Sequence, residues 1–241
     1  MRGAEDISLI LTAHQVPYLP WLGLFHKIAL ADKFVSFDQV QYSPRDWTTR
    51  NKIMTTKGPM WLSVPVKKNF GQKLCEVEIC EDMNWQRKHW ASIRLNYSRA
   101  PFFAKYANYF ENHYLRSVWC NLDHMNNSML DWFLRQLGIN IEIRFAGAFR
   151  FKGEKSALVL DMCKQLGANK YIFGIQGKEY CDVKAFRDAG VKPIFQNYIP
   201  PQYSTWKGES VPNLSIIDLL FNHGPNSLDI LMSGNLTKEQ L

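Results

Sequence analysis

Two stretches of this 241-residue chain carry side chains able to move a proton or grip an anion. The first is His14-Gln15-Val16-Pro17-Tyr18-Leu19-Pro20-Trp21. Its imidazole follows a short apolar run, residues 8–13, and precedes two prolines that fix φ twice within four residues and stiffen the turn. Near neutral pH an imidazole takes a proton from an amine or hydroxyl, and when protonated it hydrogen-bonds phosphate. Gln15, Tyr18 and Trp21 add an amide, a hydroxyl and a flat ring. The free backbone N–H groups of a helix starting after Pro20 suit an anion. Asp38 closes the next apolar run, and it approaches His14 if the two runs are neighbouring parallel strands. There it would orient the imidazole or hold a ribose hydroxyl, and a turn-forming role has equal weight.

The second stretch puts Gln41, Tyr42, Trp47, Arg50, Asn51 and Lys52 within twelve residues that show neither strand nor helix periodicity. A guanidinium grips phosphate with two donors, an ammonium neutralises it, and Trp47 or Tyr42 stacks on a sugar or base. Lys155, the Gln176-Gly177-Lys178-Glu179-Tyr180 loop and Asp218 are secondary candidates. Cys181 lacks an activating neighbour in the sequence.

The elements that must hold these groups follow an α/β pattern. Residues 8–13 and 33–37 read as buried strands, joined by a helix over 21–31 with Leu22, Phe25 and Ile28 at helical spacing. Segments 60–67 and 75–80 alternate as antiparallel strands, and 84–115 reads as two helices broken at Pro101. A further helix spans 126–137. The α/β order then resumes with strands at 139–145, 171–173 and 193–196, helices at 154–166 and 184–189, and a last helix at 214–221. This predicts an α/β fold: a mainly parallel, Rossmann-like sheet with helices on both faces, in one domain over 1–241. A β-hairpin and helical insertion over 55–137 interrupts it. In such sheets ligands bind beyond the carboxyl ends of the strands, where the crossover direction switches.

Hydrophobic residues at 46% and charged residues at 21% fit a globular core. The net charge of +7 favours anionic ligands, although the densest basic pairs, Lys67-Lys68 and Arg87-Lys88, are too short for a nucleic-acid tail. The apolar start, residues 7–11, is too short for a signal or a membrane span, which predicts a cytoplasmic protein with no transmembrane segment. Five cysteines without a CxxC pair read as reduced thiols, with no disulfide framework and no metal site. HExxH, Walker A, GxSxG and DxD patterns are absent, which disfavours zinc hydrolases, P-loop kinases, α/β-hydrolases and DxD glycosyltransferases. No residue pattern names a cofactor.

The chain resembles the WbqC-like family, small bacterial proteins associated with O-antigen and other surface-polysaccharide gene clusters. The likeness lies in His14-Gln15-x-Pro17-Tyr18-Leu19-Pro20-Trp21-x-Gly23 with Lys27-Ile28, and in Phe37-Asp38-x-Val40-Gln41-Tyr42 with Trp47 and Arg50-Asn51-Lys52. It continues at Trp61-Leu62-x-Val64-Pro65-Val66, at Gly167-Ala168 with Tyr171, Gly174 and Tyr180, and at Leu214 to Gly224. Ala146-Gly147 and Cys181 depart from the pattern, standing where serines and a leucine are expected.

The resemblance implies a transferase acting on a nucleotide-linked or lipid-linked sugar in polysaccharide assembly, by acyl or by glycyl or other aminoacyl transfer. It assigns no residue a role. With the residue reading, it places His14 as base, Asp38 beside it, and Arg50 and Lys52 on phosphate. ATP, CoA and aminoacyl-tRNA are the donor or partner classes to test. Two other readings stand beside it. A nucleotidyl-transferring or adenylate-forming enzyme is one, since a histidine in a strand-to-helix turn is similar to the HxGH turn, whose glycine and second histidine are missing here. A non-catalytic RNA or tRNA binder using the +7 charge is the other.

Overall fold

The structure is a computed structural model that describes residues 8–67, 69–80 and 84–241. Ile7 of the first apolar run and Lys68 of the Lys67-Lys68 pair lie outside them. Strand β1 (Ile10–His14) passes through α1 (Leu22–Ala29) into β2 (Lys33–Ser36). The chain then forms a hairpin, β3 (Arg50–Thr55) and β4 (Gly58–Ser63), followed by α2 (Trp85–Tyr97), α3 (Phe103–Glu111) and α4 (Leu122–Leu137). Strand β5 (Glu142–Phe145) returns to the sheet. After it come α5 (Lys155–Leu166), β6 (Lys170–Phe173), the short α6 (Gly177–Tyr180) and α7 (Val183–Asp188), and β7 (Lys192–Phe195). A two-residue hairpin, β8 (Ser204–Thr205) with β9 (Gly208–Glu209), precedes α8 (Ile216–His223) and α9 (Ser227–Met232).

Five strands make one parallel sheet in the order β5-β2-β1-β6-β7. Leu11, Val35, Tyr171 and Phe173 bury one face against Val159, Met162 and Leu166 of α5 and Phe186 of α7. On the other face Phe34 joins Leu22, Phe25 and Ile28 of α1, Phe133 of α4 and Ile217 and Phe221 of α8. The apolar spacing of three in α1 aims one stripe at that face. The Asn121 side chain caps the start of α4, and Gly138 at φ +71 ends it in the left-handed conformation that favours glycine. The α/β architecture with a mainly parallel sheet is therefore as the sequence implies.

β1 has β2 on one side and β6 on the other, so the crossovers reverse direction between β1 and β6. A crevice opens at the carboxyl ends of such a pair.

The hairpin differs from the sequence expectation. Its strands are 50–55 and 58–63, and the expected pairing of 60–67 with 75–80 shrinks to a bridge at Val66 and Ile79. The alternation is masked because the inward positions of β3 are Asn51 and Ile53, while Trp61 on β4 points outward. A buried asparagine and an exposed tryptophan invert the pattern on which strand reading depends. Arg50, Asn51 and Lys52 therefore stand on a strand and not in a loop. Residues 37–141 connect β2 to its parallel neighbour β5, and their Tyr97, Phe110 and Phe133 share one buried cluster with Phe25 and Phe34.

Candidate functional site

The β1–β6 crevice is a cavity of about 810 Å³. His14 and Gln15 enter it from the end of β1, Gln176 and Tyr180 from beyond β6, Trp21 from the residue before α1, Lys27 from α1, and Trp47 from the loop before β3. His14 is fixed from two sides. Its carbonyl accepts the Phe37 amide at 2.9 Å, and its Nδ1 lies 2.6 Å from the Gln15 carbonyl. A carbonyl only accepts, so Nδ1 carries the proton and Nε2 keeps its lone pair. Nε2 makes no hydrogen bond among the described residues. The Trp21 ring meets the imidazole edge-on at 5.4 Å. Burial, reinforced by the Lys27 ammonium, pushes the imidazole down to about 3, and the Gln15 bond offsets part of this. His14 is thus a neutral imidazole across the physiological range.

Lys27 is the residue that sequence reasoning passed over. It is 3% exposed, and its ammonium donates one hydrogen bond, to the Ala13 carbonyl at 3.1 Å. No carboxylate pairs with it among the described residues, and burial pushes it down to about 7. A lysine within the buried stripe of an eight-residue helix was the available signal. The first turn of the same helix contains no acidic side chain and its N-cap makes no side-chain bond, so the Leu22 and Gly23 amides add positive potential at the cavity wall. Close packing of Gly23 against Tyr198, 3.0 Å from where a Cβ would stand, keeps that wall tight.

The prolines deliver the expected stiff turn, with help. Asn126 of α4 donates to the Val16 carbonyl at 2.9 Å and to the Thr48 carbonyl at 2.8 Å, tying the His14 turn to the Trp47 loop. The Tyr18 amide donates to the Trp47 carbonyl at 3.0 Å. Asn51 donates to the Leu19 carbonyl. From His14 the aromatic wall continues outward, Trp21 to Trp47 at 5.6 Å and Trp47 to Trp61 at 5.5 Å. Arg50 and Lys52 lie over the exposed Trp61 ring, at 4.5 and 4.8 Å from its centroid.

The sequence candidates thus separate. His14, Gln15, Trp21, Trp47, Gln176 and Tyr180 meet in one cavity. Arg50 and Lys52 stand at the outer end of the tryptophan row. The remaining candidates are turned elsewhere. The Tyr18 hydroxyl is buried against His89 and Tyr114, and Asn51 is fully buried on its backbone partners. Asp38 accepts from the Gly147 amide at 3.1 Å, away from His14, and raises its neighbour Asp123, which burial first lifts, to about 6. Gly147 suits this place, since a Cβ there would meet Gln39 at 2.9 Å. Gln41 is exposed and bridges to Lys73, Tyr42 is buried with its amide on the Gln72 carbonyl, and Lys155 is exposed at the start of α5. Asp218 is held by Tyr97 and Tyr203. Burial raises the Cys181 thiol, which works against thiolate formation there. Gly177 serves packing, because a Cβ would stand 2.4 Å from Phe173.

Among the described residues no cluster of three or more metal-ligating side chains occurs, and no helix is long and apolar enough to cross a membrane.

The model of the WbqC-like protein family matches residues 15–230. The chain is 33% identical over 222 residues to the uncharacterized protein Rv1507c of Mycobacterium tuberculosis, covering 90% of this chain and 95% of that protein. No solved structure matches.

Proposed function

The chain belongs to the WbqC-like protein family, and we propose that it is a transferase acting on an anionic, nucleotide-linked or lipid-linked sugar during assembly of a bacterial surface polysaccharide, by acyl or aminoacyl transfer. One observation carries this reading. A neutral imidazole with a free Nε2 stands beside a buried lysine that has no counter-charge, in a cavity at the switch point of the sheet.

In the proposed reaction a sugar hydroxyl or amine attacks the acyl carbonyl. His14 Nε2 accepts the proton released by the attacking atom and returns it to the leaving group. Lys27 and the first amides of α1 hold the anionic group of the substrate or the developing oxyanion. The two residues are coupled. The Lys27 charge is the second influence holding His14 down, so an anion paired with Lys27 raises the basicity of the imidazole as the substrate binds. Trp21 and Trp47 offer flat faces to a sugar or base ring, and Arg50 and Lys52 receive phosphate at the outer end.

Thermal shift against UDP-sugars, UDP, CoA and ATP tests this reading, because a ligand that binds only the folded state raises its melting point. A phosphate-bearing sugar should stabilise the native chain, and Lys27→Met should shrink the shift. Stabilisation by ATP alone favours nucleotidyl transfer. With the substrate in hand, His14→Ala should lower kcat by about 100-fold or more. A folded His14→Ala protein with full turnover refutes the role of the imidazole.

A further inference from the structure

Away from the cavity, six cations lie along α2 and the elements that follow it. Residues 84–121 contain Arg87, Lys88, Arg94, Arg99, Lys105 and Arg116 against the single acid Glu111, with Glu81, Asp82 and Asp123 on either side in the sequence. All six cations are exposed, and none forms an ion pair among the described residues. Arg87, Arg94 and Arg99 line an open groove of about 1030 Å³ running along α2 past the hairpin turn at Thr56 to Trp206. Positions 87, 91, 94, 95 and 98 recur at helical spacing, so one stripe of α2 forms its floor.

The same face carries apolar side chains that the core has not taken. Leu95, 80% exposed, and Leu115, 44% exposed, line the groove, and Val118, three residues after Leu115, is 79% exposed. They are three of the six large aliphatic side chains exposed among the described residues, the others being Ile175, Ile199 and Leu236. Leaving aliphatic groups in water costs roughly 25 cal/mol per Å² of apolar surface. Clustered among unpaired arginines, they make a surface matched to a partner with dense negative charge over an apolar layer.

We infer that the α2 face binds the surface of an anionic phospholipid bilayer, the arginines meeting lipid phosphates and Leu95, Leu115 and Val118 entering the acyl boundary. Cations near an anionic leaflet attract it by about 1 kcal/mol each, and apolar side chains add burial. A nucleic acid would use the cations equally well. It gains nothing from exposed leucine and valine, and it reads single strands by stacking on open aromatic rings, whereas in this groove Trp90 is buried and the half-buried Trp206 ring already carries the Lys207 ammonium at 5.0 Å.

Co-sedimentation with vesicles decides the matter, independently of the transferase reading. The native chain should pellet with vesicles of equal parts phosphatidylcholine and phosphatidylglycerol, far less with phosphatidylcholine alone, and less as salt rises. Replacing both Arg94→Glu and Arg99→Glu should weaken binding by at least about 25-fold, from about fivefold per cation removed. Leu95→Ser and Val118→Ser should each weaken it at constant charge, which separates insertion from simple attraction. All four positions are exposed, and circular dichroism verifies the fold of each variant. Absence of binding to the anionic vesicles overturns the inference. So does equal binding to neutral ones, full binding by the glutamate variant, or tight binding of RNA with no binding of vesicles.

Discussion

Lys27 and Lys207 are both held below the ordinary lysine value by burial, yet their surroundings have little in common. Lys207 donates to the Met54 carbonyl at 3.1 Å and to Asn96 at 3.4 Å, lies over the Tyr97 and Trp206 rings, and is drawn back up by Asp218. Both oxygens of Asp218 are occupied in turn, by the Tyr97 hydroxyl at 2.8 Å and the Tyr203 hydroxyl at 3.0 Å. Lys27 has one carbonyl and lines the cavity. A buried charge is tolerated when hydrogen bonds and opposite charge compensate its desolvation, and around Asp218 and Lys207 the protein supplies both. At Lys27 it supplies neither in full, which is the arrangement of a group whose partner comes with the ligand. A lowered pKa is common to the two regions; unspent hydrogen-bonding capacity facing a cavity belongs to one.

The largest effect that tests the contrast is on Asp218. Asp218→Ala leaves two buried tyrosine hydroxyls without an acceptor and should lower the unfolding free energy by about 3–5 kcal/mol in urea titration. A loss below about 1 kcal/mol would remove the structural role assigned to that network.

Next in size is a pair of opposite signs. Lys27→Met removes an uncompensated buried ammonium and should hold or raise the melting temperature, whereas Lys207→Met should lower it. The same Lys27→Met change should weaken binding of a phosphate-bearing sugar by about tenfold or more in calorimetry. Equal destabilisation by both methionines would break the comparison.

pH gives a third, smaller effect with a definite direction. The folded Lys27 value of about 7 lies below its unfolded value, so above about 7 the unfolded chain holds more protons and the unliganded protein gains stability as pH rises toward the ordinary lysine range. Affinity for an anion that needs the ammonium should fall over the same interval, and Lys27→Met should flatten both curves.

The smallest effect is spectroscopic. Lys27→Met should move the His14 midpoint upward from about 3 in an NMR titration, since the lysine charge is the second cause of its depression. An unmoved midpoint would show that the two residues are not coupled.

Local signals carried much of the architecture. Apolar runs ending in turn residues placed β1, β2 and β6, helical spacing placed α1 and α4, and glycines stopped α4, α5 and α7. The location of His14 at a strand's carboxyl end was legible for the same reason. The hairpin departs from the alternation because Asn51 faces in, onto the distant Leu19 carbonyl, and Trp61 faces out beneath Arg50 and Lys52 of the neighbouring strand.

Local patterning along the chain sets the order and type of the main elements, and so the strand end from which His14 projects. Which groups share that end was decided only in three dimensions. Asp38 follows the end of β2, the parallel neighbour of the strand that ends at His14, yet the β5 turn takes its carboxylate while α1 carries the lysine into the cavity. Periodicity reports which face of an element is apolar. Whether a polar group on that face has a partner depends on elements folded against it from elsewhere in the chain, and that distinguishes Lys27 from Lys207 and Asp218.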